Sequence, residues 1–227
     1  MNYELEKDIW TDADFENMGW HDCRIYKIRL GLDLELDIDY IFKWNQPDLE
    51  GLPFTFWLAP ATLAFRGPKQ VTFDLDIAFE DVGEIDSIER SVGDEGTSWT
   101  IDTQKGEIQF LSSGFEQFIR QKPTYQFGQT ISYFDRYGYS LERTTNQNNP
   151  NLLKDDYLDR RKKNFDNFDS FKRKHLLKLE KETLNNLKDN NKINLKYYLL
   201  KERELKKMIA DIDLFLKDTI FESLGSF

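Results

Sequence analysis

Trp20-His21-Asp22 sets a general-base side chain beside a carboxylate, and Asp37 and Asp39 follow within the next strand-like stretch. A histidine with two or three carboxylates suits zinc or manganese, so His21, Asp22 and Asp39 are the candidate catalytic residues of a metal-dependent hydrolase or nuclease. Cys23 shares a strand face with His21 by alternation. Such neighbours are roughly 6.5 to 7 Å apart, against the about 3 Å of a direct nucleophile and base contact, so a cysteine nucleophile is disfavoured. A second reading makes Trp20 the cap of a core edge and leaves His21 and Asp22 to bond a turn or strand start. Trp44 and Trp57, with Arg120 and Tyr125, supply aromatic walls and polar anchors of the kind that line a ligand pocket, or else they fill the core. Trp20, Asp37, Asp39, Trp44, Trp57 and Arg120 are therefore the candidate binding residues, with no dedicated metal site and no cofactor expected. Neither a phosphate-cradling glycine motif nor a serine nucleophile elbow is present in the sequence.

The element that positions these residues is a hairpin, Cys23 to Leu30 and Asp33 to Phe42, reversing at Gly31. In one register Leu30 faces Leu34, Ile28 faces Leu36 and Tyr26 faces Ile38 on the core side, while Arg29 faces Glu35 and Lys27 faces Asp37 on the other. A slip by one residue would bury the carboxylates. Asp39 falls opposite Ile25 with no cation across from it.

Further strands read at Phe54 to Leu58 and Ala61 to Arg66 around Pro60, at Val71 to Phe79, and weakly at Ile85 to Ile88. A second hairpin joins Thr97 to Asp102 and Glu107 to Ser112. Gly114 to Gln121 suits a helical turn or a strand, and Tyr125 to Tyr133 a last strand. Strands in succession without helices predict an antiparallel sandwich or open barrel. Thr144 to Pro150 holds no apolar residue and reads as linker. Beyond it Leu158, Phe165, Phe168, Leu176, Leu179 and Leu187 share one helical side, as do Tyr198, Leu205, Ile209, Ile212 and Leu216. The expected class is α+β: a mostly antiparallel β domain over 1–140, a linker over 141–154, and a helical hairpin over 155–227 acting as association element. His175, among lysines and arginines, is expected on the solvated surface.

The 227 residues carry a formal charge of −10, but unevenly. Residues 1–140 hold 26 acidic and 12 basic side chains, a net −14, and the remainder is net +4. An acidic body disfavours nucleic acid and anionic membrane and suits a basic partner. Cys23 is the one cysteine, which excludes an intrachain disulfide and fits a reducing compartment. No stretch approaches the about 18 apolar residues of a membrane span, so a cytoplasmic location is expected.

Met18-Gly19-Trp20-His21-Asp22, Asp37-Ile38-Asp39-Tyr40-Ile41, Phe56-Trp57-Leu58-Ala59-Pro60-Ala61-Thr62-Leu63 and Ser113-Gly114-Phe115 with Arg120 and Pro123 follow one another in order. In this order the chain resembles a family of small bacterial proteins to which no activity is attached. The resemblance covers about residues 15–135, implies one folding unit there, and transfers no catalytic residue. The expected function is a noncatalytic, immunity-like or inhibitory module that meets a basic protein, with the C-terminal helices associating with a second copy, as a homo-oligomer, or with the partner, the alternative being that they pack on the acidic domain of their own chain. The alternatives are the metal-dependent enzyme on His21, Asp22 and Asp39 and a small-ligand sensor with an aromatic pocket.

Overall fold

The computed structural model describes residues 3–76, 82–94 and 96–223, the last of them by its backbone alone. These fall into two compact units, one of residues 1–46 with 54–154 and one of 47–53 with 155–227. Residues 141–154, expected as a linker, thus cluster with the β unit. Among the described residues no helix is long and apolar enough to cross a membrane.

The first unit places ten strands, among the described residues, in two antiparallel sheets. One sheet orders β1 (Ile9–Thr11), β9 (Phe115–Ile119), β4 (Thr55–Arg66), β3 (Asp33–Asn45) and β2 (Ile25–Leu30), with β10 (Thr124–Gln126) also beside β4. The other orders β5 (Lys69–Leu75), β8 (Gly106–Ser112), β7 (Gly96–Thr103) and β6 (Ile85–Gly93). They pack as a sandwich whose interior is aromatic. Phe65 lies 4.8 Å from Phe110 and 5.1 Å from Trp99, and Trp99 meets Phe115 edge-on at 5.8 Å. The sheets are also tied at one corner, where Ile85 N–H donates to Cys23 C=O and Asp22 N–H to Ile85 C=O.

The β2–β3 register holds from Leu30↔Leu34 to Lys27↔Asp37, and then a bulge intervenes. Ile25, not Tyr26, sits opposite Ile38. The extra residue turns Tyr26 off the core face, which lets its hydroxyl reach Asp39. Pro60 does not divide two strands but lies inside β4, at the gap between β9 and β10, where Arg120 N–H donates to its carbonyl and Gln147 N–H takes the Arg120 carbonyl that proline cannot serve. Ile85 to Ile88 extends into a nine-residue strand. The expected strand Tyr125 to Tyr133 ends at Gln126, and Ile77 to Phe79 lie outside the described residues.

Beyond β10 the chain leaves the edge and crosses the outer face of the first sheet. Thr62 donates to Glu142 C=O, Arg143 pairs with Asp33 and Glu35, and Gln147 N–H donates to Arg120 C=O. The carboxylate face of β3 is therefore a second interior, contrary to its expected exposure: Glu35, Asp37 and Asp39 are all buried.

In the second unit α1 (Asp155–Asp189) and α2 (Leu195–Leu216) form the expected antiparallel hairpin, followed by α3 (Ile220–Ser223). Asn194 caps α2 by accepting from Tyr197 N–H at 2.8 Å. The seam is built from Leu177, Leu184, Tyr198 and Leu205, and the expected stripe residues Leu158, Leu176 and Leu179 stay substantially exposed. The stripe was broad enough for either side of it to face α2, and Lys174–Asp213 and Lys201–Glu180 pairs flank the observed seam. His175 is not solvated as expected. Its Nε2 is buried beneath Gly51, whose φ of +86° brings the 47–53 segment so close that a Cβ would meet His175 Cε1 at 2.8 Å.

Phe65→Ala should cost the β unit about 3–5 kcal/mol, whereas Val92→Ala, at a position 81% exposed, should stay within about 0.5 kcal/mol. Urea unfolding read by tryptophan fluorescence checks this, because all five tryptophans lie in that unit. A similar cost for both would contradict the placement of the core.

Candidate functional site

Four charged side chains, Asp37 and Asp39 from β3, Arg120 just after β9 and Arg136 from the covering segment, meet on the outer face with no solvent exposure. Asp37 Oδ1 accepts from Arg120 Nη2 at 2.6 Å and Arg136 Nη2 at 2.7 Å; its Oδ2 accepts from Arg136 Nη1 at 3.0 Å and Ser140 N–H at 2.9 Å. All its lone-pair positions are filled, and the Arg136 contact is a bidentate fork. Asp39 Oδ2 accepts from Tyr26 Oη at 2.8 Å and Ile131 N–H at 2.7 Å, while Oδ1 lies 3.3 Å from Arg136 Nε, out of line for a hydrogen bond. Arg120 Nη1 donates to Thr62 Oγ1 and to Ser140 C=O. Two carboxylates and two guanidiniums leave the cluster neutral, the condition under which charges tolerate burial.

Burial raises the Asp39 carboxyl above its ordinary range despite Arg136, the Ile131 N–H and Tyr26. Burial, and then the Asp39 charge, likewise raises the Tyr26 phenol. Burial lowers Arg120 in spite of Asp37, whereas at Arg136 the two carboxylates outweigh burial and hold it above the usual value.

The cluster has a surface consequence. Arg136 Cζ lies 3.8 Å from the Tyr26 ring centre and 5.4 Å from that of Tyr139, and those rings stack at 5.2 Å. Tyr133 packs edge-on against Tyr139 and Phe134, and Gly138 N–H closes the turn onto Tyr133 C=O. Tyr133, Phe134, Tyr137 and Tyr139 are 54, 70, 48 and 51% exposed. An aromatic surface loop is thereby fastened from below by buried ions.

The other sequence-derived candidates separate. Trp20 is core, its indole N–H donating to Gln117 Oε1 at 2.8 Å. His21 projects into solvent with Nδ1 3.1 Å from Asp22 Oδ1, and Asp22, at φ +64°, also accepts from Gln129 at 2.8 Å. Asp39 is spoken for by Tyr26, Ile131 and Arg136, and among the described residues no three His, Cys, Asp or Glu side chains gather as metal ligands. Cys23 is buried, and burial pushes its thiol well above the ordinary range, away from thiolate chemistry. Trp44 stacks edge-on against Phe54 and Phe56, and Trp57 meets Tyr125 and Tyr3 from the opposite side of the ladder. Arg120, a candidate for a pocket wall, instead binds Asp37. Sequence reasoning missed Arg136, Tyr139 and Ser140. The available signal was the row Asp33, Glu35, Asp37 and Asp39 on one face of β3, more carboxylates than Lys27 and Arg29 across the hairpin can pair, so that cations were required from elsewhere.

Replacing Asp37 by Asn leaves Arg120 and Arg136 with one carboxylate between them and should destabilise the β unit by about 3–5 kcal/mol in denaturant titrations; a loss below about 1 kcal/mol would show that the cluster does not hold the fold. Nearer the surface, Arg143 and the Gly67 N–H hold the Asp33 carboxyl below its usual range. Burial raises Glu35, but Arg29 and Arg143 outweigh it and hold that carboxyl low too. A depressed folded value means that stability is present above the ordinary carboxylate range, about pH 4, and is lost as pH falls through the depressed values. Arg143→Gln should therefore cost about 0.5–1 kcal/mol at neutral pH, screened by solvent, and the gap to the parent should close on acidification. A gap that widens in acid would contradict the assignment.

Comparison with protein-family models, with curated proteins and with solved structures gives no match, so the functional argument rests on the geometry of this chain.

Proposed function

We propose that the chain is a noncatalytic protein-binding module that meets a basic protein partner, in the manner of an immunity or inhibitory protein. The observation that carries this reading is the exposed loop of Tyr133, Phe134, Tyr137 and Tyr139 held from beneath by Arg136. Exposed tyrosines and phenylalanines grouped on one segment are the residue types that dominate binding energy in interfaces. A loop ordered before encounter loses little conformational entropy on docking. The net −14 of residues 1–140 favours approach of a basic partner and disfavours nucleic acid. The rival hydrolase or nuclease reading needs His21, Asp22 and Asp39 to converge, and the engagement of Asp39 by Arg136 and Tyr26 supports binding over that chemistry. In the same reading the helical unit is an association element, with Leu195, Leu199, Leu200, Leu214 and Phe215 of α2 exposed for a second copy or for the partner.

The Phe134→Ser, Tyr137→Ser double variant should retain the parent's unfolding midpoint and lose a partner that the parent retains from lysate of the native cell, with affinity reduced by about 2 kcal/mol or more. Retention by the parent should weaken with added salt. Equal retention by both proteins would remove the loop from the interface, and no saturable partner for the parent would remove the reading.

A further inference from the structure

Away from the ion cluster, the N-terminal segment closes a cleft of about 480 Å³ in the β unit, lined by Tyr3, Trp10, Tyr40 and Phe42 together with Glu6, Lys7 and Asp14. The Tyr3 and Phe42 rings are 5.3 Å apart, and Tyr40 meets Phe42 edge-on at 4.9 Å. Lys7 fills part of this box. Its ammonium lies 4.8 Å from the Trp10 ring centre and hydrogen-bonds Asp14, whose other oxygen accepts from Thr11 N–H at 2.8 Å. Aromatic faces joined to a fixed carboxylate are the chemistry that receives an organic ammonium. Lys7 is therefore a resident stand-in, and its side chain is 42% exposed at the cleft mouth. Its departure leaves Glu6 and Asp14 facing the cleft without a lysine.

Trp10 lines the cleft, and its Nε1–H is buried with no hydrogen-bond partner among the described residues, a cost that a ligand oxygen reaching it on departure of Lys7 would relieve. An ammonium and a carbonyl oxygen separated by a short aliphatic stem are what a lysine residue of a polypeptide offers. We propose that this cleft binds a lysine side chain of the basic protein partner, displacing Lys7 from Trp10 and Asp14 and presenting a backbone carbonyl to the Trp10 indole. This inference rests on the protein-binding reading and names the residue type that the acidic body captures.

The test is a titration of the full chain with Nα-acetyl-lysine N-methylamide, followed by tryptophan fluorescence and amide chemical shifts, with the norleucine counterpart as control. Saturable shifts at Trp10 and Asp14 are expected for the lysine compound and none for norleucine. Lys7→Met should tighten binding about fivefold by removing the internal competitor, and Asp14→Asn should weaken it by a similar factor. Glu6→Gln, away from the Thr11 cap, provides a second weakening variant should Asp14→Asn fail to fold. Norleucine binding as well as lysine, or unchanged affinity in Lys7→Met, would overturn the proposal. So would n-butylammonium matching the lysine compound, since the carbonyl would then contribute nothing. Failure of the probe while the Phe134-dependent partner is still retained would remove the cleft alone; binding of the probe without any retained partner would remove the protein-binding reading and leave an ammonium site.

Discussion

Burying a charge in a protein interior is tolerable only where opposite charge and hydrogen bonds replace the lost water, and the outer face of the first sheet is organised around that constraint. Asp37 and Asp39 belong to the buried stretch of β3, a strand paired on both sides, and cannot turn to solvent without breaking its register. Their cations come from 83 and 99 residues further along, so Arg120 and Arg136 tie the end of β9 and the covering segment to the sheet. Ser140 and Ile131 add backbone N–H donors from either side of Arg136. Without those carboxylates the segment from 127 to 149, which has little regular secondary structure, would lack its main anchor. The ions hold the cover, and the cover exposes the aromatic loop on which the proposed interface rests.

The parts of this arrangement that were legible in the sequence are those set by local pattern. Alternation fixed the register of Leu30 with Leu34 through Lys27 with Asp37, and turn residues placed the second hairpin. The bulge at Tyr26 was not legible, because nothing in the period-2 pattern distinguishes a tyrosine facing the core from one released to bond a carboxylate. Asp39 stood out as lacking a cation, which was the correct symptom. Its remedy lay at Arg136, beyond the reach of any local rule. The polar run from Thr144 to Pro150 looked like a linker for a related reason: it is anchored by hydrogen bonds, such as Asn149 to Gln121 and to Asp135 C=O, and not by apolar side chains that a hydropathy pattern would register.

Among helices, a 35-residue span gives the apolar stripe room to drift around the axis, so Leu158 and Leu176 shared a nominal face with residues near the true seam yet remained outside it. The apolar residues of the partner helix meet one side of that stripe, and they are not local to it. His175 shows the same limit, since the residue that covers it belongs to a segment more than a hundred positions earlier. Function followed a similar division. The closeness of His21, Asp22 and Asp39 in sequence suggested chemistry, while the fold sends His21, in the turn before β2, into solvent and buries Asp39 in the middle of β3.

The ion cluster fixes the covering segment to β3, and amide hydrogen exchange of the intact chain reads that directly. The Ile131 and Ser140 N–H groups donate to Asp39 and Asp37, so both should exchange as slowly as amides of the β3–β4 ladder although neither lies in a strand. Exchange of these two amides at the rate of an exposed loop, with the ladder still protected, would contradict it.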